Sequence, residues 1–416
     1  MFIPGQGPKP LETRCAAGCA GACAAISTVI FVKAVCIRCS IGLPLCPAAA
    51  AKDSRSRTGG RVNKVKVPTR VIQIERSEAE RLNSSGRRSQ DQFVKATLSA
   101  GTVKQQIVIG YRGGHTRYYP KKSYEIRIGN RTIHYNAEYD DPSMLRNALS
   151  FQFFEKLGVP SPRTRHVRLI VNGVPQGLYL EIEGVDRSFF SKRRVKARTL
   201  LYAVSNKANF RLYGDQGEAK RTLASGYDVV IGTSKELTNI ARFVRGLHTL
   251  KQSALLAYLK THLNIPQYLR WLAGAVCTGN YDGFDQNYAL YRTSGSLKYN
   301  ISPWDYEGTW GRNCYGELDG SDIVRITGYN GLTEKLLAFP VIRREYRRVL
   351  AHTLAHSFTL RELEPLISRL HAELLPELSA DETRKHSPFV VAADKDVFLR
   401  YIRDRRAYLI GKLSTL

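Results

Sequence analysis

The chain has 416 residues, 43% of them hydrophobic and 10% aromatic, which excludes an intrinsically disordered chain and allows one large or two medium domains. Its formal net charge is +27; residues 1–66 hold ten Lys/Arg against Glu12 and Asp53, which leaves +19 for the remainder. Basic character spread this way fits attraction to polyanions (nucleotide phosphates, nucleic acid, acidic proteins) or a solvated basic surface.

Residues 1–66 carry Cys15, Cys19, Cys23, Cys36, Cys39 and Cys46. The spacings C-x3-C-x3-C and C-x2-C, with no His among them, match no zinc pattern. Arg14 precedes an apolar stretch at 21–35 that Lys33 interrupts, so the match to a secretion signal is poor. No 18-residue apolar run is free of charge, and no membrane span is expected. The segment is read as an extension outside the fold or an over-extended start, with the basic residues 52–66 as a solvated linker. Cys277 and Cys314 read as a reduced core cysteine and a loop cysteine.

Period-two patterning predicts strands at 71–75 and 93–99, separated by a short helix at 77–84, then paired strands at 104–110 and 122–128. Between the last two lies Tyr111-Arg-Gly-Gly-His-Thr-Arg-Tyr-Tyr-Pro120. Gly113 and Gly114 let the backbone turn and approach a ligand closely, and Arg112 and Arg117 could add charge for phosphates. An ordinary Gly-containing hairpin loop would look the same. Lys122 shares the parity of Tyr124, Ile126 and Ile128, so it is expected to point into the core-side cleft, with Lys121 facing solvent. A helix at 143–157 presents Leu145, Leu149, Phe153 and Leu157 on one stripe and ends at Gly158. Glu155 is its only acid. Strands at 166–171 and 177–183 flank Asn172-Gly173, a type I′ turn signal.

Helices are predicted at 237–248, 254–263 and 266–277, the last delivering Asn280-Tyr281-Asp282. Asn287 follows Asp282 by five residues. Two short strands, 288–292 and 297–302, then lead to Asp305 in P-W-D-Y-E. This is the layout of a protein-kinase active site: an Asp for the substrate hydroxyl, an Asn and a second Asp for metal, and a lysine for the α/β-phosphates. In that layout Asp282 and Lys122 are catalytic, Lys122, Arg112, Gly113, Gly114 and Arg117 face the nucleotide, and Asn287 and Asp305 hold metal. Surface loops also use Asp and Asn as turn formers, so spacing alone leaves both readings open. Trp304 and Trp310 read as packing. The tail from 341 onward is largely helical with basic faces at Arg343, Arg344, Arg347 and Arg348. His352 and His356 have Thr353 between them, so they form a helix-surface pair and not the H-E-x-x-H zinc motif.

Several strings together resemble the CotH family of spore coat proteins, which are atypical protein kinases: I-G-Y-R-G-G-H-T-R-Y-Y-P-K-K-S-Y-E-I (109–126), N-A-E-Y-D-D-P-S-M-L-R-N-A-L-S (136–150), N-G-V-P-Q-G-L-Y-L-E-I-E-G-V-D (172–186), Y-L-R-W-L-A-G (268–274), N-Y-D-G-F-D-Q-N-Y-A-L-Y-R (280–292) and I-S-P-W-D-Y-E-G-T-W-G-R (301–312). The resemblance covers residues 67–416. It implies an α+β, two-lobed protein-kinase-like fold with a β-rich N-lobe at 67–186 and a mainly helical C-lobe at 187–416. It also implies a Ser/Thr protein kinase using ATP and Mg²⁺ or Mn²⁺. Glu307 stands where the family commonly has a second Asp of a W-D-x-D turn, which makes it a further metal candidate. Glu183 matches a family position near the expected adenine contact, although a structural role fits equally. The implied substrates are Ser-rich, basic spore coat proteins, with the protein made in the mother-cell cytoplasm and placed in the coat of a bacterial endospore. A basic kinase does not attract a basic substrate at long range, so a local acidic pocket is expected, for example around Glu317, Asp319 and Asp322. No membrane or nucleic-acid partner is expected. The rival reading is an inactive coat scaffold that binds nucleotide and recruits partners.

Overall fold

The computed structural model describes residues 67–84, 92–214 and 217–416. The expectations for residues 1–66 lie outside them. In the first half, β1 (Thr69–Gln73), α1 (Arg76–Ser84), β2 (Phe93–Ala100), β3 (Val103–Arg112), β4 (Ser123–Ile128) and β5 (Arg131–Asn136) follow in order. After α2 (Arg146–Lys156) come β6 (Thr164–Val171) and β7 (Val174–Glu183). The strands form a closed barrel in the order β1-β2-β3-β4-β5-β7-β6, completed by parallel pairing of β6 with β1. Alternate residues fill it: Val94, Ala96 and Leu98 from β2, Ile107 and Ile109 from β3, Tyr124 and Ile126 from β4. Closure leaves no open sheet edge. Asn172 and Gly173 both have positive φ, as a type I′ turn requires, and the Asn172 amide also pairs with the backbone of Ile74.

Helix α2 begins three residues later than its sequence predicts. The Asp141 carboxylate accepts the backbone N–H groups of Ser143 and Arg146, and Met144 sits at φ 56°, so residues 141–145 form a tight turn before the helix. The stripe Leu145, Leu149 and Phe153 is buried as expected, but so are Asn147, Ser150, Phe151 and Phe154. This helix is packed on nearly every side.

The second half starts with α3 (Arg187–Lys192), capped by Asp186, and β8 (Ala197–Ala203), β9 (Tyr227–Ile231), α4 (Lys235–Thr249), α5 (Gln252–His262) and α6 (Ile265–Thr278). The hairpin β10 (Tyr288–Thr293) and β11 (Asn300–Pro303) follows, then α7 (Gly331–Leu337), α8 (Pro340–His356), α9 (Leu360–Ser379) and α10 (Pro388–Lys412). Strands β11-β10-β8-β9 form one sheet. The large core gathers α6, through Trp271, Leu272 and Val276, with α2, α8 and α10. The content is mixed α+β. Strands β5, β8 and β9 were not anticipated from the sequence. Cys277 is a buried free thiol and Cys314 a half-buried one. His352 and His356 pack together, with their rings tilted, on the exposed face of α8. Among the described residues no helix is long and apolar enough to cross a membrane.

Candidate active site

Strand register builds the site. Tyr288 pairs with Pro303 at the end of the β10–β11 hairpin, so Asn287 and Trp304 leave the sheet side by side. Their backbones are joined by Trp304 N–H donating to Asn287 O at 3.1 Å, and Asn287 N–H donates to Ala203 O at 3.0 Å. Asp305 comes next. Helix α6 ends at Gly279 in the left-handed conformation, where a Cβ would lie 2.2 Å from the Tyr401 hydroxyl, so glycine is required. The Asn280 side chain then clamps the loop: its oxygen accepts Gly283 N–H at 2.9 Å and its amide donates to Asp305 O at 3.3 Å. Asp282, Asn287, Asp305 and Glu307 thereby line one cavity of about 610 Å³, together with Gly113 and Gly114 across from them. That volume lies in the range of small-ligand sites, about 300–1,000 Å³. Asn287 and Asp305 both sit at positive φ (59° and 56°), which Asn and Asp tolerate better than most side chains.

Gly113 has φ 101°, and a Cβ there would lie 2.0 Å from the Thr116 hydroxyl, so the loop as folded demands glycine. A narrow extension of the cleft runs from this loop toward the barrel. It is lined by Arg112, Lys121, Asn136, Glu138 and Asp140 as well as Asp305 and Glu307. Asn147 of α2 bridges the two sides, donating to the Glu138 carboxylate at 3.0 Å and accepting Tyr306 N–H at 2.6 Å.

The electrostatics of this corner are unbalanced. Burial pushes the Glu138 carboxyl up to about 8, with Asp141 and Asp305 adding repulsion and Asn147 and Asn136 opposing it. Desolvation also holds Glu307 well above the ordinary range; Asp305, Glu138 and Asp140 raise it further while Arg112 counters. Among the described residues no three His, Cys, Asp or Glu side chains are arranged to hold a metal ion by themselves. Oxygen donors that repel one another, without a preformed cage, suit a hard cation that keeps waters and shares phosphate oxygens, as Mg²⁺ does. The residues present fit such a group: Asp305, Asn287 and Glu307 would hold it.

Four sequence-based placements, of Lys121, Lys122, Glu183 and Arg117, are corrected. Lys121, expected to face solvent, is the buried lysine (5% exposed) and lines the cleft with Asp305. Lys122 instead donates to Arg117 O at 2.8 Å and closes the preceding turn, and it lines neither part of the cleft. The parity argument failed because the strand begins at Ser123, so alternation does not extend back to Lys122. Glu183 is not brought to the cleft. It lines a separate groove with Arg131 and Arg163 and is paired with Lys192 at 2.8 Å and Arg193 at 3.0 Å. Arg117 folds back onto the loop, donating to Gly113 O at 3.3 Å, whereas Arg112 reaches the cleft and hydrogen-bonds Asn136. Glu155 is on the surface with Arg193. Sequence reasoning missed Lys121, Glu138 and Asn147. The signal available for the last two was the string at 136–150, quoted only for its resemblance.

A sequence model of the family described as CotH kinase protein matches residues 109–409. Inner spore coat protein H of Bacillus subtilis (strain 168) is 38% identical over 334 residues, 78% of this chain and 92% of that protein. The inner spore coat protein H-like protein of the same organism is 29% identical over 71% of this chain and 87% of its own length. Among solved structures, the Helicobacter pylori proinflammatory kinase CtkA aligns over 70% of this chain and 93% of its own, at 12% identity and a TM-score of 0.30, a loose overall likeness. The chain belongs to the CotH family.

Proposed function

We propose that the chain is an atypical Ser/Thr protein kinase that transfers the γ-phosphate of ATP to spore coat proteins, with the barrel and the helical half acting as the two lobes of a kinase-like fold. The observation that carries this reading is the convergence of Asp282, Asn287 and Asp305 on one cavity, facing the Gly113–Gly114 turn and the Lys121 side of the cleft. Phosphoryl transfer depends mainly on positioning and charge neutralisation, and these residue types supply both. Asp282 orients the acceptor hydroxyl and takes its proton. Asn287, Asp305 and Glu307 hold Mg²⁺ or Mn²⁺, which neutralises phosphate charge when bound. Lys121, in place of Lys122, and Arg112 face the phosphates.

The names of the B. subtilis relatives support a place in the spore coat; synthesis in the mother-cell cytoplasm is part of the same proposal. Basic, Ser-rich coat proteins fit as acceptors because the cleft is acidic although the chain carries +27. Asp319 lines the cavity with Asp282, and burial, with Asp322 and Glu317 adding repulsion, raises its pKa, which supports an acidic acceptor side. The test is label transfer from ATP with Mg²⁺ or Mn²⁺ to a basic Ser-rich protein, with Asp305→Ala alongside. Label on Ser or Thr that disappears in the variant supports the kinase. ATP binding without transfer, under either metal, would leave a nucleotide-binding coat scaffold.

A further inference from the structure

In protein kinases the phosphate-facing lysine is steadied by a glutamate from the helix that follows it. Helix α2 occupies that place in the chain, but its acid, Glu155, is exposed and bonded to Arg193. The lysine that lines this cleft has a different partner. Lys121 Nζ lies 2.9 Å from Asp381 Oδ2, and the two side chains are only 2% and 4% exposed. Asp381 belongs to the loop between α9 and α10, 260 residues further along the chain.

We infer that Asp381, supplied by the C-terminal α9–α10 loop, is the positioning residue that holds Lys121 for the nucleotide phosphates. This rests on the kinase reading above. The carboxylate is built in on every side. Leu178 N–H donates to Oδ2 at 2.7 Å, and Thr383 donates to Oδ1 through its backbone N–H at 3.0 Å and its hydroxyl at 2.6 Å. Gly177, at φ 79°, leaves the room: a Cβ there would lie 2.1 Å from Asp381 Oδ1. The neighbouring Arg384 donates to the carbonyls of Glu138 and Asp141, and Lys385 pairs with Asp140. One loop therefore fixes both the lysine and the backbone that carries the cleft carboxylates. Burial would raise the Asp381 pKa, but Lys121 and these donors overcome that and hold it below the ordinary range. Burial in turn lowers the Lys121 pKa to about 8 although Asp381 opposes it, so the 2.9 Å pair is charged on both sides at neutral pH and the ammonium gives up its proton above about pH 8.

The experiment is calorimetric titration of the full chain with ATP plus Mg²⁺ and, separately, with adenosine, which has no phosphates. Wild type, Asp381→Asn, Lys121→Met and the double variant are compared, with thermal unfolding of each. Asp381→Asn should weaken ATP binding roughly tenfold or more, the worth of one hydrogen bond to a charged group, and leave adenosine binding unchanged. The double variant should bind ATP no more weakly than Lys121→Met, while recovering the thermal stability each single variant loses, because removing a buried pair entirely is far less costly than leaving one charge unpaired. Equal loss of ATP and adenosine affinity, an Asp381→Asn variant that binds ATP like wild type, or a double variant with the two losses multiplied would each overturn the inference. Should Asp381→Asn fail to fold, the Lys121→Met background alone decides: a further loss of ATP affinity on adding Asp381→Asn overturns it, and none supports it. A wild-type chain that binds neither ligand overturns the kinase reading itself, an outcome distinct from all of these.

Discussion

Two clusters of buried charge meet helix α2 at adjacent residues, Arg146 and Asn147, and they are built on opposite rules. In the first, Arg146 is wholly buried and donates to Asp141, to both oxygens of Asp394 at 2.7 and 3.2 Å, and to Thr309 O at 3.0 Å; Arg312 adds a bond to Asp394 at 2.8 Å. Two guanidinium groups meet two carboxylates, and the sum is neutral. Burial alone would raise the Asp394 pKa, but Arg146 and Arg312 overcome it and hold the group well below the ordinary range. In the second, Glu138, Asp305 and Glu307 share a cleft corner with Arg112, and repulsion together with burial drives two of the carboxyls upward. A balanced cluster ties elements together: Arg146 on α2, Asp394 on α10 and Arg312 beyond the Asp305 turn. An unbalanced one weakens the fold slightly and gains from a cation. The difference separates a structural network from a site by electrostatics alone.

The largest expected effect tests the unbalanced cluster. Asp305→Ala should reduce phosphoryl transfer about a thousandfold or more, as expected when several kcal/mol of metal-mediated charge stabilisation is lost, while thermal unfolding stays at or above wild type because one repelling carboxylate is gone. A variant that unfolds early would show Asp305 to be structural and would break the comparison. Asp282→Asn should lower the rate by about 10²–10⁴-fold with unchanged ATP affinity, measured by initial rates and nucleotide titration. The balanced cluster should respond in the opposite way. Arg146→Met, which leaves Asp141 and Asp394 buried without their cation, should cost about 3–5 kcal/mol of stability in denaturant unfolding. If Arg146→Met is nearly neutral, the network is not the tie described above.

How much of this could be read from the sequence depended on whether local spacing was enough. The hairpin carrying Asn287 and Asp305 was legible because both residues flank a pair of adjacent strands, whose register follows from the turn between them. The barrel strands with clean alternation were legible too. Lys121 was assigned to solvent because parity was extended back from Tyr124 beyond Ser123, where the strand begins. Its partner Asp381 lies 260 residues away, and no local pattern announces a pairing set by how the tail packs. Strand β5, R-T-I-H-Y-N, does alternate, with Ile133 and Tyr135 in the barrel core and Thr132, His134 and Asn136 on the other face, but two apolar residues in six positions are too short a signal to mark a strand. Glu138 follows it in a left-handed conformation (φ 44°) that a Glu rarely adopts, and only the surrounding fold enforces it.

Glu138 offers the smallest and most specific test. Its folded pKa of about 8 lies above the ordinary 4.5, so between those values the folded chain holds a proton that the unfolded chain has released. Stability from this group is therefore fully present at pH below about 4.5 and is lost as pH rises toward 8, with a slope of at most about 1.4 kcal/mol per pH unit. Glu138→Gln cannot ionise and should flatten that part of the profile, so wild type and variant should converge at pH 5 and separate at pH 8, the variant being the more stable. Mg²⁺ favours the charged carboxylates and should narrow the gap at pH 8 in wild type while moving the variant less. Urea unfolding at the two pH values, with and without Mg²⁺, measures all four quantities. A gap that Mg²⁺ leaves untouched would mean that the corner's excess charge is relieved by something other than a cation. Parallel profiles would mean that Glu138 is already ionised and held by Asn147, and the contrast with the Arg146 cluster would then rest on Asp305 and Glu307 alone.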